Sequence, residues 1–498
     1  MRKTNKSALY SIFSYCSTCI RDLDDAVFIV DGGFLLHRVT WPPHIQELAY
    51  DEIYDVYISY IKQYYHTNAT IVFDGYSDTK SSTRIAERQR RSRIPQCTDI
   101  LFERHTKVVV SQEKFLSNEH NKSRFISQLS GKLTENGISV KQANDDADLL
   151  IIQTAINECL DATNTVAVVG EDVDLLVLLT ALAPEDRNIT FLKPGRGRVP
   201  ARQYSSSDLQ AFLSSLKDYI LFLHAASGCD TVSSCFGQGK HKLFRLLQSR
   251  EELRKYAAVF NSRSSTHETV ADAGEKLLIA LYGGPEEEKD LNSFRLKCFR
   301  KATVRCKKQV KLEKLPPTAA ASKQHFLRVY HQVQLWQSNP LPPEQWGWTL
   351  ETGGLVPITT TLPPAPDQLL NLISCTCTKN CVRTCSCVKG GLKCSIVCVS
   401  CQGVSCSNSN THSHEEEIMD ESEIQDMQTD DSDTEDPEEL IEGDQQIIGH
   451  ESKESHDEKP KDIRYGNCSD SDTCEASILP SASTVMERPR KSARKLNF

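Results

Sequence analysis

The chain has 498 residues, 58 Lys+Arg against 67 Asp+Glu, 39% hydrophobic residues and a mean hydropathy of -0.42. That length suits several domains, and that polarity argues against a single packed one. No run approaches the roughly 18 apolar residues of a membrane span, and Ser, Tyr and Asn break up the opening MRKTNKSALYSIFSYC, which speaks against membrane and secreted classes.

Short β-branched runs alternate with helical stretches through the first half: AVFIVD (26–31), TIVFD (70–74), KVVV (107–110), ISV (138–140), TVAVVGED (165–172) and ITFL (189–192). Such alternation predicts an α/β fold, a parallel sheet with helices on both faces. DDADLLIIQTAI (145–156) and DLLVLLTAL (174–182) read as buried helices, although periodicity alone leaves the second open to a strand reading. After about residue 205 the pattern is helical, through DYILFLHAAS (218–227), KHKLFRLL (240–247), EKLLIALYG (275–283) and KQHFLRVYHQVQLW (323–336). Seven prolines make 338–368 a stiff, extended connector that carries Trp346 and Trp348. Nine of the 19 cysteines then crowd between Cys375 and Cys406. From residue 411 onward the chain holds 25 acidic and 9 basic residues, and so few apolar ones that a disordered acidic tail is expected, leaving a mildly basic body.

Several of the predicted strands end in aspartate: Asp31 in IVDGG, Asp74 in VFDGY, and Asp172 with Asp174 in GEDVD. In an open parallel sheet the carboxyl ends of the strands share one edge, where ligands bind. Asp146 and Asp148 stand at a helix start, and Asp230 stands in the turn HAASGCDTV. Each taken alone reads most simply as a helix cap or turn former. Seven acids brought together would repel one another unless cations sat between them. Hard oxygen ligands suit two Mg²⁺ or Mn²⁺ ions, which clamp the attacking and leaving oxygens of a phosphodiester.

The ordered set IVDGG, VFDGY with a basic stretch, DDAD, GEDVD and SGCDTVSSCFGQGK resembles the PIN-like and flap-endonuclease (5′-nuclease) superfamily over about residues 20–250. By that resemblance Asp31, Asp74, Asp146, Asp148, Asp172, Asp174 and Asp230 are the catalytic, metal-binding carboxylates. Gly237, Gly239 and Lys240 then form a loop that grips a nucleic-acid backbone, and Lys80, Arg84 or Arg88 on the helix after Asp74 holds the scissile phosphate. A helix there puts Arg84, Arg88 and Arg91 on one face, which also fits a plain solvated surface. The pair Asp146/Asp148 is one methylene shorter on each side than the Glu-x-Glu of flap endonucleases. The closing RKLNF lacks the sliding-clamp pattern, so no such partner is expected.

Cys375, Cys377, Cys381, Cys385, Cys387, Cys394, Cys398, Cys401 and Cys406 are too many for two isolated tetrahedral zincs and too few for three unless sulfurs bridge. Their spacing resembles the tesmin-like CXC domain, and the resemblance implies about three structural Zn²⁺ ions and DNA attachment. Lys379, Arg383, Lys389 and Lys393 interleave with the cysteines, which suits phosphate contact. The combination is also similar to a multicopy animal family with a mobile-element character.

The expected organisation is a nuclease-like domain at 20–250, a helical extension at 251–337, a linker at 338–368, a CXC-like zinc module at 369–408 and an acidic tail at 409–498. The reading is a metal-dependent nuclease acting on DNA, ahead of RNA, in the nucleus, with no membrane partner and with chromatin proteins as candidate partners. The basic RPRKSARK (488–495) points the same way, or is a few solvated charges. The competing readings are a catalytically silent scaffold and a chromatin DNA-binding factor.

Overall fold

The computed structural model describes residues 8–18, 23–43, 45–76, 82–83, 97–160, 165–305, 312–363, 374–378, 380–395 and 398–409. All of these belong to one compact unit, residues 1–413. Lys80, Arg84, Arg88, Arg91, Lys379 and the acidic tail from residue 410 on, with RPRKSARK, lie outside the described residues.

Seven strands form the main sheet: β1 (Ser17–Thr18), β2 (Val27–Asp31), β3 (Thr70–Phe73), β4 (Ser139–Gln142), β5 (Val166–Val169), β6 (Ile189–Lys193) and β7 (Arg202–Ser205), in the order β1-β7-β6-β5-β2-β3-β4. The pairs β6–β5, β5–β2, β2–β3 and β3–β4 are parallel, while β7 runs antiparallel to β6 and to β1. The central strands are apolar on both sides because helices cover both faces. Ile29, Val168 and Phe191 face one core, with the helices Val173–Leu182, Ile220–Ala226, His267–Leu281 and Ala319–Trp336. Phe28, Val30, Ile71, Phe73 and Val169 face a second core, filled by Tyr50, Tyr54, Tyr57, Phe115 and Phe125.

The α/β parallel sheet read from the sequence is therefore present, as are the buried helices Asp148–Cys159 and Val173–Leu182. Two expectations change. KVVV at 107–110 makes one isolated bridge, Lys107 to Ala49, and leaves Val109 64% exposed, because among the described residues no strand of the sheet pairs with it. The connector at 338–368 contains a hairpin, β8 (Trp348–Glu351) with β9 (Gly354–Pro357). Both tryptophans are buried, Trp346 against Tyr330 and His267, and Arg328 Nη1 holds the hairpin by donating to the Gly347 carbonyl at 3.1 Å. Burial of two indoles outweighs the stiffness of proline there. The helices of 251–337 share one apolar core with the sheet, so no packing boundary separates them from it.

Candidate active site and cysteine cluster

The aspartates gather where β2, β3 and β5 end. Asp31 closes β2 and caps the helix Gly32–Arg38, accepting a hydrogen bond from the Gly33 amide at 2.7 Å. Asp172 follows β5 and caps Val173–Leu182, accepting from the Asp174 amide at 3.1 Å. Asp74 follows β3, and its Oδ1 accepts from the Ala147 amide at 3.1 Å, tying this strand end to the start of Asp148–Cys159. Glycine is required beside both strand ends. A Cβ on Gly32 would lie 2.2 Å from the Phe73 ring, and one on Gly75 would lie 2.2 Å from the carbonyl oxygens of Ala143 and Asn144.

Among the described residues, Asp172, Asp174 and Asp230 each offer a carboxylate oxygen within 4.8 Å of the other two. Two oxygens on one Mg²⁺ stand about 3.0 Å apart in cis and about 4.2 Å in trans, from a bond length near 2.1 Å, so this set is close to the dimensions of a divalent-cation site. Asp31 lies beside it. Burial, and next the negative charge of Asp74, push its carboxyl up to about 7, with Asp172 adding to the rise. Asp31, Asp74 and Asp172 thus form a second electrostatic group that shares Asp172 with the first. Asp146 lines a small cavity of about 30 Å³ with Asp145, Asp174 and Asp230. Asp148 is buried in the first turn of its helix, where its amide donates to Asp146 Oδ1 at 3.4 Å, and it is outside the 4.8 Å set.

A larger cavity, about 670 Å³, opens beside Asp31, Glu171 and Asp172. Its other walls carry Tyr10, His37, Arg38, Lys193 and Arg196, none of which the sequence reading singled out. Tyr10 donates to the Glu171 carbonyl at 2.9 Å, and the Lys193 ammonium sits 3.5 Å from the centre of the Tyr10 ring. The available signal was KPGRGRVPAR at 193–202, four cations and no acid in ten residues.

Lys240 corrects an expectation. Gly237 adopts φ +67°, and Gly239 precedes the helix Lys240–Ser249 with open space around both glycines, as a loop against a ligand requires. The lysine side chain, however, turns inward and is 2% exposed. Its Nζ donates to the Gly228 carbonyl at 2.7 Å and meets His224 Nδ1 at 3.1 Å, while His224 Nε2 meets Asp174 Oδ1 at 2.8 Å. With the ammonium donating to Nδ1, the Nε2–H donates to Asp174. Trp336 stacks on the imidazole with centroids 5.6 Å apart. Lys240 therefore steadies a carboxylate through His224 and is not presented to a backbone phosphate. His224 escaped the sequence reading because it lies 50 residues from the acid it touches.

All nine clustered cysteines come together, eight of them buried, with Leu392 as the one buried aliphatic residue among the described residues of the cluster. Sulfur separations of 3.7 Å (Cys375–Cys381), 3.8 Å (Cys387–Cys398) and 4.0 Å (Cys375–Cys394) rule out bonded pairs there. They match the edge of a tetrahedron around zinc, about 3.8 Å for a Zn–S bond near 2.3 Å. Four overlapping sets of four can be drawn, and Cys375 and Cys394 each belong to three of them. These thiols therefore fit a shared thiolate–metal cluster.

No protein-family model and no curated protein matches the chain. Solved structures similar to it include the catalytic core of Rad2 in complex with DNA substrate, with a TM-score of 0.34 and 14% identity over 51% of this chain and 71% of that one. T5 5′-exonuclease with bound zinc gives a TM-score of 0.33 and 13% identity over 63% and 91%. Human GEN1 in complex with Holliday junction DNA gives 0.33 and 14% over 71% and 86%.

Proposed function

We propose that this protein is a metal-dependent nuclease. The observation that carries the reading is the carboxylate set Asp172, Asp174 and Asp230 within 4.8 Å at the carboxyl edge of a parallel sheet, with Asp31 pressed beside it. Asp172, Asp174 and Asp230 would hold one divalent cation, and Asp31 and Asp74 with Asp172 a second, Asp146 and Asp148 supporting them. Mg²⁺ or Mn²⁺ bound there supplies an activated water and neutralises charge developing on a phosphodiester. The chain's own part is positional. Helix caps fix Asp31 and Asp172, His224 orients Asp174, and Asp74 ties the end of β3 to the start of the helix Asp148–Cys159. The nine cysteines would bind about three Zn²⁺ ions and attach the enzyme to DNA, in the nucleus and beside chromatin proteins; Arg383, Lys389 and Lys393 supply cations for that contact.

The test is a panel of labelled single-stranded, duplex, flap and RNA substrates with Mg²⁺ or Mn²⁺. Cleavage that chelator abolishes, and that the pair Asp172→Ala, Asp174→Ala lowers by about 10³ or more, supports the reading. Cleavage by that double variant at the wild-type rate refutes it. A silent binding fold has one observation in its favour: the Asp174 carboxylate is already engaged by a buried imidazole at 2.8 Å. Substrate binding with no cleavage under any divalent cation would select that second reading.

A further inference from the structure

We propose that the helix Ala319–Trp336 belongs to the carboxylate site, with Gln332 and Trp336 as positioning residues that set Asp230 and Asp174 for a shared divalent cation. This rests on the metal-binding part of the nuclease reading and holds whether or not a bound strand is cut.

Three observations carry it. The first is reach. Asp230 stands in the loop after the helix Ile220–Ala226, where Gly228 has φ +108° and the Cys229 amide donates to the Val232 carbonyl at 2.9 Å. Its neighbour Thr231 is buried, and the Thr231 hydroxyl donates to Gln332 Oε1 at 2.5 Å, across 101 residues of sequence. Lys240 holds the Gly228 carbonyl before the acid and Gln332 holds Thr231 after it, so both flanks of Asp230 are tied down.

The second is alignment. Residues four apart on a helix stand on one face. One turn beyond Gln332, Trp336 stacks on the His224 imidazole, with centroids 5.6 Å apart and the rings inclined by 28°. His224 Nε2 meets Asp174 Oδ1 at 2.8 Å, so the indole limits the swing of the ring that makes this bond. Gln332 and Trp336 line the same cavity of about 30 Å³ as Asp146, Asp174 and Asp230. Two of the three acids that come within 4.8 Å of one another therefore take their placement in part from one helix.

The third is construction. Gln332 is 5% exposed, and a buried amide costs free energy unless it is bonded, so an apolar residue would serve packing alone better. The helix that carries it is fixed independently: the Tyr330 hydroxyl donates to the Ser262 carbonyl at 2.8 Å, and Gln334 Nε2 donates to the Phe260 carbonyl at 2.9 Å. A carboxylate held in advance by a rigid element loses less entropy when a cation is bound, and partners standing behind metal ligands govern affinity by about 10–100-fold.

The experiment titrates the full, zinc-loaded chain with Mn²⁺ and counts the free ion by electron paramagnetic resonance. Mn²⁺ favours oxygen ligands and leaves the thiolates to zinc. Wild type is compared with Gln332→Met, Thr231→Val, the pair of them, Thr231→Ser, Trp336→Leu and Tyr330→Phe, alongside thermal melts and Mg²⁺ cleavage assays. Gln332→Met and Thr231→Val should each weaken Mn²⁺ binding about tenfold, and the pair no more than either alone, since both delete the same bond. Trp336→Leu should weaken it likewise, while Thr231→Ser keeps the donor and the wild-type affinity. Tyr330→Phe, which loses a bond elsewhere on the same helix, should lower the melting temperature and leave Mn²⁺ affinity alone. Wild-type affinity in the folded Gln332→Met and Thr231→Val proteins overturns the positioning role, and cleavage by wild type then leaves the nuclease reading intact. Weakened Mn²⁺ binding in those variants, where wild type never cleaves, supports the positioning role and overturns the nuclease reading. A wild type that takes up no Mn²⁺ overturns both.

Discussion

Replacing Asp31 by Asn should stabilise the metal-free protein and weaken its response to divalent cations. The carboxyl is part-buried, and burial with the negative charge of Asp74 pushes it up to about 7 against an ordinary 3.8. The sign follows from proton affinity: the folded state holds the proton more tightly than the unfolded one. Stability is therefore complete below about pH 4 and declines as pH rises through about 7. Three pH units at about 1.4 kcal/mol each set an upper limit of about 4 kcal/mol, and relaxation around a charged group brings the expected value nearer 2 kcal/mol. Asparagine keeps an oxygen to accept from the Gly33 amide, so the helix cap survives and does not confound the comparison. Urea unfolding in chelator should find the two proteins alike near pH 4 and Asp31→Asn about 2–4 kcal/mol more stable at pH 8. Adding Mg²⁺ at pH 8 to a hundred times its dissociation constant should restore about 2.7 kcal/mol to wild type and much less to the variant. An Asp31→Asn protein no more stable than wild type at pH 8 in chelator would sink the argument.

Lys240→Met should lower stability by about 2–4 kcal/mol, because His224 and the Gly228 carbonyl lose a buried donor, while the salt dependence of nucleic-acid binding stays at the wild-type value. A reduced salt slope would return Lys240 to the role of phosphate ligand. Elemental analysis of the reduced full-length chain should give about three zincs. Cys375→Ser should release more than one of them and Cys406→Ser at most one, since Cys375 belongs to three of the four-sulfur sets and Cys406 to one. Equal losses from both would rule out bridging sulfurs. Gly75→Ala should cost well over about 2 kcal/mol in chemical denaturation, as its methyl would meet two backbone oxygens that have nowhere to retreat.

What the sequence made legible follows from what buries each residue. Strands β2, β3, β5 and β6 lie between two helical layers, so they read as short apolar runs, and those of β2, β3 and β5 lead into aspartates. Strand β7 was not legible: RQYS is polar and joins the sheet because a glycine turn folds it back on β6. Cysteine spacing announces a cluster directly, since so many thiols in so short a segment leave little else to form a core. Long-range pairings left no local trace. His224 reaches Asp174 only because two helices pack side by side, and Lys240 turns inward because an imidazole and a carbonyl wait there. A glycine loop ending in lysine has the same spelling whether its ammonium faces solvent or core.

The same contacts explain why a cap and a ligand need not compete. Asp31 and Asp172 each accept an amide hydrogen bond at the start of a helix, the role that a solitary aspartate after a strand would have. A carboxylate has two oxygens with about four lone-pair directions between them, so one amide does not exhaust it. The cap fixes the torsions of the side chain in advance, which lowers the entropy lost when a cation is bound. Its electrostatic cost is visible at Asp31, where burial beside Asp74 leaves the group reluctant to ionise near neutral pH. A helix cap serving stability alone would be better met by serine or asparagine, which carry no charge to bury. Aspartate at both strand ends, pressed close enough for their charges to be felt, is the choice of a site whose stability is completed by a cation.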